Sequence, residues 1–162
     1  MTNIAHQLPH QVFVYGSLKR GEYNNDCITQ HGGEFISTAT TIGTYLLLGG
    51  VFPKLVDPAD IDKAQARRYQ VYKGRVVGEL WRVNERGLLA LDRLEGCPVH
   101  YRRETLEVDT PHGIRQPWGY IIARPSFVSS PLIDPDASGL LSWSSPRAET
   151  LNPFRERAET PR

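Results

Sequence analysis

An α+β domain built on a curled mixed sheet is predicted by three features of this 162-residue sequence. Short β-branched and aromatic runs outnumber helical ones, one well-delimited amphipathic helix stands between strands, and the segments alternate irregularly, without the strand–helix repetition of a parallel α/β sheet. The length suits one domain that buries a core without disulfide or metal staples. Residues 1–10 have no apolar periodicity and are expected to be a mobile lead-in. Residues 11–143 are expected to form the domain, and residues 144–162, beyond the last apolar cluster of Leu140, Leu141 and Trp143, a mobile tail.

Val12-Phe13-Val14-Tyr15 reads as a buried strand, stopped at Gly16 and followed by a polar, turn-rich stretch to Asn25. Residues 38–48, rich in Thr, Ile, Leu and Tyr with only Gly43 interrupting, predict a second strand closed by Gly49-Gly50. Residues 52–56 continue as a short irregular or edge segment, because Pro53 cannot donate to a ladder. Residues 57–68 are polar and fit either a loop or a short solvated helix. Residues 69–72 and 76–83 alternate as strands around Lys73-Gly74-Arg75. A helix is predicted from Asn84, a good N-cap with Glu85 in the first turn, to Gly96, a C-terminal stop backed by Pro98. Residues 101–108 and 117–123 supply two further strands, separated by Pro111-His112-Gly113.

Acidic and basic residues nearly cancel to a formal charge of +1, so no electrostatic footprint for nucleic acid or an anionic membrane stands out. The expected partner is a small molecule or a protein. Cys27 and Cys97 lie far apart outside any C-x-x-C spacing and read as free thiols of a reducing cytoplasm. The N-terminal stretch lacks the pattern of a secretory signal, and no apolar run approaches the ~20 residues that span a bilayer. A soluble, cytoplasmic protein is therefore expected. Pro9 spoils the His6/His10 pair and no other histidine spacing suits a metal, so no metal site is indicated.

Winding residues 88–95 at about 100° per residue places Leu91 near ~300° and Glu95 near ~340° from Leu88. The Glu95 carboxylate therefore projects between two leucines, in the last helical turn, where burial and the negative end of the helix dipole both disfavour ionisation. A carboxyl with a raised pKa in a pocket is what general acid/base chemistry near neutral pH requires. The structural alternative is a carboxylate at the stripe's edge that reaches solvent or pairs with Arg102 or Arg103. Asp92, near ~40° on the same wheel, competes but sits on the intermediate face, where structural roles are commoner.

Tyr15-Gly16-Ser17-Leu18 ends the first strand. Gly16 permits a tight turn whose successive amides can form a nest for a carboxylate or oxyanion, with Lys19 and Arg20 adding positive potential. The spacing is neither G-x-S-x-G nor a Walker or dinucleotide loop. Tyr101, shortly after the helix stop, reaches Glu95 if the chain doubles back; otherwise it is an ordinary amphipathic strand residue.

Together, VFVYGSLKRG, FPKLV and GELWRVNERGLLALDRLEGCPVHYRR resemble the gamma-glutamylcyclotransferase-like superfamily, notably its gamma-glutamylamine cyclotransferase branch, from about Val12 to Ala123. The resemblance implies a small curled β-barrel flanked by helices. It also implies that Tyr15, Gly16, Ser17 and Leu18 bind the α-carboxylate end of a small gamma-glutamyl substrate, that Glu95 is the catalytic glutamate, and that Tyr101 adds a pocket hydroxyl. Many relatives carry a late Gly-Asp-Trp segment, whereas this chain has Leu140 in the aspartate's place. The implied reaction is attack of the glutamyl α-amine on its own γ-amide carbonyl, releasing 5-oxoproline and an amine, with no metal or cofactor. Two competing readings are a non-catalytic binding module that uses Glu95 structurally, and a hydrolase with Ser17 as nucleophile and His100 as its base.

Overall fold

A computed structural model describes residues 7–127 and 130–145. The first strand, β1 (His10–Val14), is central and buried, and it leads through the 15–25 loop into a single helical turn, α1 (Asp26–Thr29). Strands β2 (Glu34–Thr41), β3 (Leu46–Leu48) and β4 (Lys54–Val56) follow, then a 3-10 turn (Pro58–Asp60), α2 (Lys63–Arg68) and a second 3-10 turn (Gln70–Tyr72). After β5 (Arg75–Val83) and α3 (Glu85–Leu94) come β6 (Tyr101–Thr105), β7 (Val108–Thr110), β8 (Gly113–Arg115), β9 (Trp118–Ile122) and β10 (Leu140–Leu141).

The main sheet runs β6-β9-β1-β5-β2-β7-β8, while β3 and β4 form a separate pair. It is mixed: β1 is antiparallel to β5 and parallel to β9. Strand β10 adds in parallel to residues 75 and 76 of β5, beyond the registers of β1 and β2. This is the α+β, mixed curled sheet with a few helices that the sequence predicts.

Both faces of β1 are covered, which explains why its sequence is continuously apolar instead of alternating. Phe13 packs with Leu47, Leu55, Leu80, Val108 and Ile121 on one face. Val12 and Val14 pack on the other with Ile28 of α1, Trp81, Val83 and Leu88 and Leu91 of α3. Leu88 and Leu91 are the stripe of the helical wheel, and burying each contributes about 1.5–3 kcal/mol. Asn84 caps the helix as expected, its Oδ1 accepting from the Gly87 amide at 2.8 Å. Gly96, at φ +64°, takes the left-handed conformation that ends it.

Several boundaries differ from the sequence reading. Residues 38–48 are two strands, broken where Thr41 turns its hydroxyl to the Gly43 carbonyl (2.8 Å) and the Ile42 amide crosses to the Glu107 carbonyl (2.9 Å). Residues 69–72 form a helical turn and not a strand. Their amides bond backward, Tyr69 to Gln65 and Tyr72 to Tyr69, and the Tyr69 ring stacks on Phe127 at 4.6 Å. The undecided 57–68 stretch is helical in two pieces, capped by Asp57 and Asp62 through the amides of Ala59 (2.9 Å) and Gln65 (2.7 Å). Residues 101–108 split into β6 and β7 where the Leu106 amide bonds Pro117. At the start, Leu8 is buried and His10 already belongs to β1, bonded to Glu85 at 2.6 Å. Residues 1–6 of the expected lead-in and 146–162 of the expected tail lie outside the described residues.

Candidate active site

Where β1 ends, the chain must turn away from the sheet, and the 15–18 loop that does so forms one side of a cavity. The cavity encloses about 490 Å³ between atoms, counting the solvent at its mouth. Four parts of the chain line it: residues 13–18 with Asn24, then Phe52 and Pro53, then Leu94, Glu95 and Tyr101, and Tyr120 of β9. The sheet brings these together, because β9 lies beside β1 and β6 beside β9. All six residues singled out in the sequence, Tyr15, Gly16, Ser17, Leu18, Glu95 and Tyr101, therefore face one space.

The loop is held through its carbonyls and side chains. Gly16 O accepts from the Lys19 amide (3.0 Å), Ser17 O from the Asn24 amide (3.0 Å) and Leu18 O from Asn25 Nδ2 (2.8 Å). Among the described residues, the amides of Gly16, Ser17 and Leu18 donate to no protein acceptor, which leaves them open to a ligand. Glycine is needed at 16 for a reason other than turn tightness: a Cβ there would lie 2.5 Å from Cγ of Pro53, so the loop and the opposite wall touch across this residue.

Glu95 is the C-cap of α3 and keeps helical angles (φ −83°, ψ −4°), so it continues the wheel onto the cavity side. Its pKa is raised from 4.5 to about 7, and burial is the cause. No side chain among the described residues pairs with it. Arg102 instead binds Asp60 (2.6 Å) and Glu104 (2.5 Å), and Arg103 binds Asp92 (3.1 Å) while lying over the Trp118 ring. The arginine pairing that a purely structural Glu95 requires is thus absent among the described residues. Asp92 is the structural carboxylate, also accepting from the Tyr120 hydroxyl at 2.7 Å.

The phenols around Glu95 spend their protons on the frame. Tyr15 donates to the Tyr120 carbonyl (2.7 Å) and accepts from the Leu55 amide (3.3 Å), and Tyr101 donates to the Pro53 carbonyl (3.1 Å). Burial raises the pKa of both, with the Glu95 charge adding to it. Cys27 and Cys97 are free, and both thiols are pushed up by burial first, Cys97 to about 11. The two basic residues of the loop turn aside: Lys19 reaches the Trp143 carbonyl, and Arg20 binds Glu79 (3.3 Å) beneath the Phe35 ring. Ser17 Oγ accepts from Asn24 Nδ2 at 2.9 Å, and no histidine lines the cavity, so the Ser17–His100 hydrolase has no geometric basis among the described residues.

Sequence reasoning missed Phe13, Val14, Asn24, Phe52, Pro53, Leu94 and Tyr120 as parts of this space. Phe13, Val14, Phe52, Pro53 and Leu94 lie within the resembling motifs, but Asn24 and Tyr120 carry no local signal, since only the fold places them here.

The family model for gamma-glutamyl cyclotransferase, AIG2-like proteins matches residues 12–139. The chain belongs to this family. A gamma-glutamylaminecyclotransferase of Bos taurus is 34% identical over 134 residues, 76% of this chain and 73% of its own length. A Vibrio cholerae protein provisionally named a gamma-glutamylcyclotransferase is 36% identical over 115 residues, 70% of this chain and 83% of its own. Among solved structures, an AIG2-like protein of Mus musculus aligns at a TM-score of 0.60 and 27% identity, over 75% of this chain and 84% of that one. The gamma-glutamyl cyclotransferase, AIG2-like match contains every residue that lines the cavity. It stops short of Trp143, which is buried and donates from Nε1 to the Gly50 carbonyl at 2.8 Å. The divergent 138–143 segment therefore braces the turn ahead of Phe52 and, through Lys19, the 15–18 loop. Among the described residues no helix is long and apolar enough to cross a membrane.

Proposed function

We propose that this chain is a gamma-glutamylcyclotransferase-type enzyme acting on a small gamma-glutamyl compound, with Glu95 as the general acid/base. The observation that carries the reading is a carboxyl poised at about 7, in one cavity with three amides, where among the described residues neither the carboxyl has a protein partner nor the amides an acceptor. The amides of Gly16, Ser17 and Leu18 take the substrate's α-carboxylate. This anchors the glutamyl unit so that its α-nitrogen and γ-carbonyl fold toward each other beside Glu95. Nucleophile and electrophile already belong to one molecule, so positioning supplies much of the acceleration.

The α-nitrogen attacks the γ-carbonyl carbon, a new C–N bond closes the five-membered ring, and the γ-amide C–N bond breaks. Two protons leave the α-ammonium as it becomes the lactam N–H, and two arrive on the departing nitrogen, which leaves as an ammonium. Neither water nor a net proton is consumed. One carboxyl near pH 7 can carry both transfers in turn, ionised to accept and protonated to give back. Tyr15 and Tyr101 shape the walls, their hydroxyl protons being committed to backbone carbonyls.

The test is to incubate the purified chain with gamma-glutamyl amides and quantify products by mass spectrometry. Equimolar 5-oxoproline and free amine are expected. Glutamate in place of 5-oxoproline points to hydrolysis and rejects the cyclisation, and no product from any amide with folded protein rejects the activity.

A further inference from the structure

We infer that Tyr120 and Asp92 are positioning residues: a strut that runs from the 15–18 loop through Tyr120 to Asp92 sets where Glu95 stands relative to the amides of Gly16, Ser17 and Leu18. The inference rests on the cyclotransferase reading above and adds two residues that serve it without touching the reacting atoms. Tyr120 lines the cavity, is 2% exposed, and is bonded at both ends. Its carbonyl accepts from the hydroxyl of Tyr15, the residue before the three amides, at 2.7 Å. Its own hydroxyl donates to Asp92 Oδ1, also at 2.7 Å. Asp92 precedes Glu95 by three residues on α3, about 4.5 Å along the helix axis at ~1.5 Å per residue. One buried residue thereby links the two halves of the cavity, the end of β1 and the end of α3.

The sheet makes this link stiff. Parallel pairing of Val12 with Trp118 carries Tyr120 to the level of Val14, where the loop departs, and Val14 and Tyr120 pack in the core shared with Leu88 and Leu91 of α3. On the other side of β9, the register with β6 sets Arg103 opposite Tyr120. Arg103 Nε reaches the same Asp92 Oδ1 at 3.1 Å, with its guanidinium 4.4 Å over the Trp118 ring. One carboxylate oxygen thus gathers a phenol and a guanidinium from two neighbouring strands. The Asp92 carbonyl accepts from the Cys97 amide at 2.9 Å, so the same residue also holds the chain just past Glu95. Arg103 already compensates the Asp92 charge, so the Tyr120 hydroxyl is not needed as a counter-charge. What it adds is direction, fixing the end of α3 against the strand whose carbonyl holds Tyr15. Moving a catalytic group by about 1 Å can cost about 10²-fold in rate, which is the scale on which such a link matters.

Tyr120→Phe tests this, because it keeps the ring, the backbone carbonyl and the Arg103–Asp92 pair and removes only the link. With a gamma-glutamyl amide that the native chain turns over, and well below each melting temperature, kcat should fall roughly 10- to 10²-fold. Affinity for 5-oxoproline, measured by calorimetry, should stay within about 3-fold of native, since the Tyr15 side of the strut is untouched. Asp92→Ala should lose as much kcat, Asp92→Asn, which keeps an acceptor for the phenol, should recover most of that loss, and Tyr120→Phe combined with Asp92→Ala should be no slower than Asp92→Ala alone. A Tyr120→Phe kcat within about 2-fold of native, whatever its melting temperature, assigns the bond to stability alone and overturns the inference while leaving the activity standing. So does Asp92→Asn as slow as Asp92→Ala, and these two variants decide the matter by themselves if Tyr120→Phe does not fold. A native chain that turns over no gamma-glutamyl amide overturns the cyclotransferase reading and this inference with it.

Discussion

Replacing Glu95 by glutamine separates chemistry from stability, because it keeps the side chain's shape and removes its titrating proton. In the folded chain the carboxyl ionises near 7, against an ordinary value of 4.5, and burial is the cause. Below pH 4.5 both folded and unfolded states hold the proton and the group costs nothing. As pH rises from there, the unfolded chain ionises first and stability falls, until the full penalty is reached above about 7. At ~1.4 kcal/mol for each pH unit between the two values, the penalty is about 3 to 4 kcal/mol. Glu95→Gln should therefore melt up to about 10 °C higher than the native chain at pH 8, and at the same temperature at pH 4. In the same preparation, 5-oxoproline release should drop about 10² to 10⁴-fold. The native chain's kcat/KM should rise with pH through an inflection near 7, and Glu95→Gln should lack that inflection. Full activity in Glu95→Gln removes the residue as acid/base. A lower melting temperature at pH 8 shows that it holds the fold through a partner, and refutes the assignment of its pKa to burial.

Two further substitutions probe the frame. Gly16→Ala puts a methyl 2.5 Å from Pro53, so the loop or the opposite wall must shift at a cost of about 1–3 kcal/mol, and both melting temperature and kcat/KM should fall; an unchanged melt contradicts the contact. Tyr15→Phe leaves the Tyr120 carbonyl and Leu55 amide without their phenol and should destabilise by about 1–3 kcal/mol in a denaturant melt, while the pH inflection of kcat/KM persists. Loss of the inflection there would assign the titrating proton to the wrong residue.

What the sequence made readable was local. The α3 helix and its cap follow from Asn84, Gly96 and the Leu88/Leu91 stripe, and the same stripe placed Glu95 toward a buried space before any tertiary information. The break at Gly43 and the helical turn at 69–72 were not readable, because Tyr-Gln-Val-Tyr suits a strand by propensity and only its backward amide bonds decide otherwise. Four residues at α1 are too few for any periodicity to register. The far side of the cavity depended on sheet order: nothing local marks Tyr120 or Phe52 as neighbours of residues 13–18, since that adjacency comes from β9 lying beside β1 and from the packing of Pro53 on Gly16. Lys19 and Arg20 misled for the same reason. Their charge is local in sequence, but their partners, Trp143 and Glu79, are not.

The Glu95 carboxyl owes its raised pKa to burial and has no charged partner among the described residues, and this decides how the protein responds to ionic strength. Mobile ions screen interactions between charges but do little to the cost of removing one charge from water. The inflection near pH 7 should therefore hold its place between dilute buffer and several hundred millimolar salt, whereas one set by a neighbouring ion would drift toward its ordinary value as salt rises. By the same logic, the Glu95 pKa is set through the bulk around it, where Leu94 and the Tyr15 and Tyr101 rings lie, more than through the placement of surface charge.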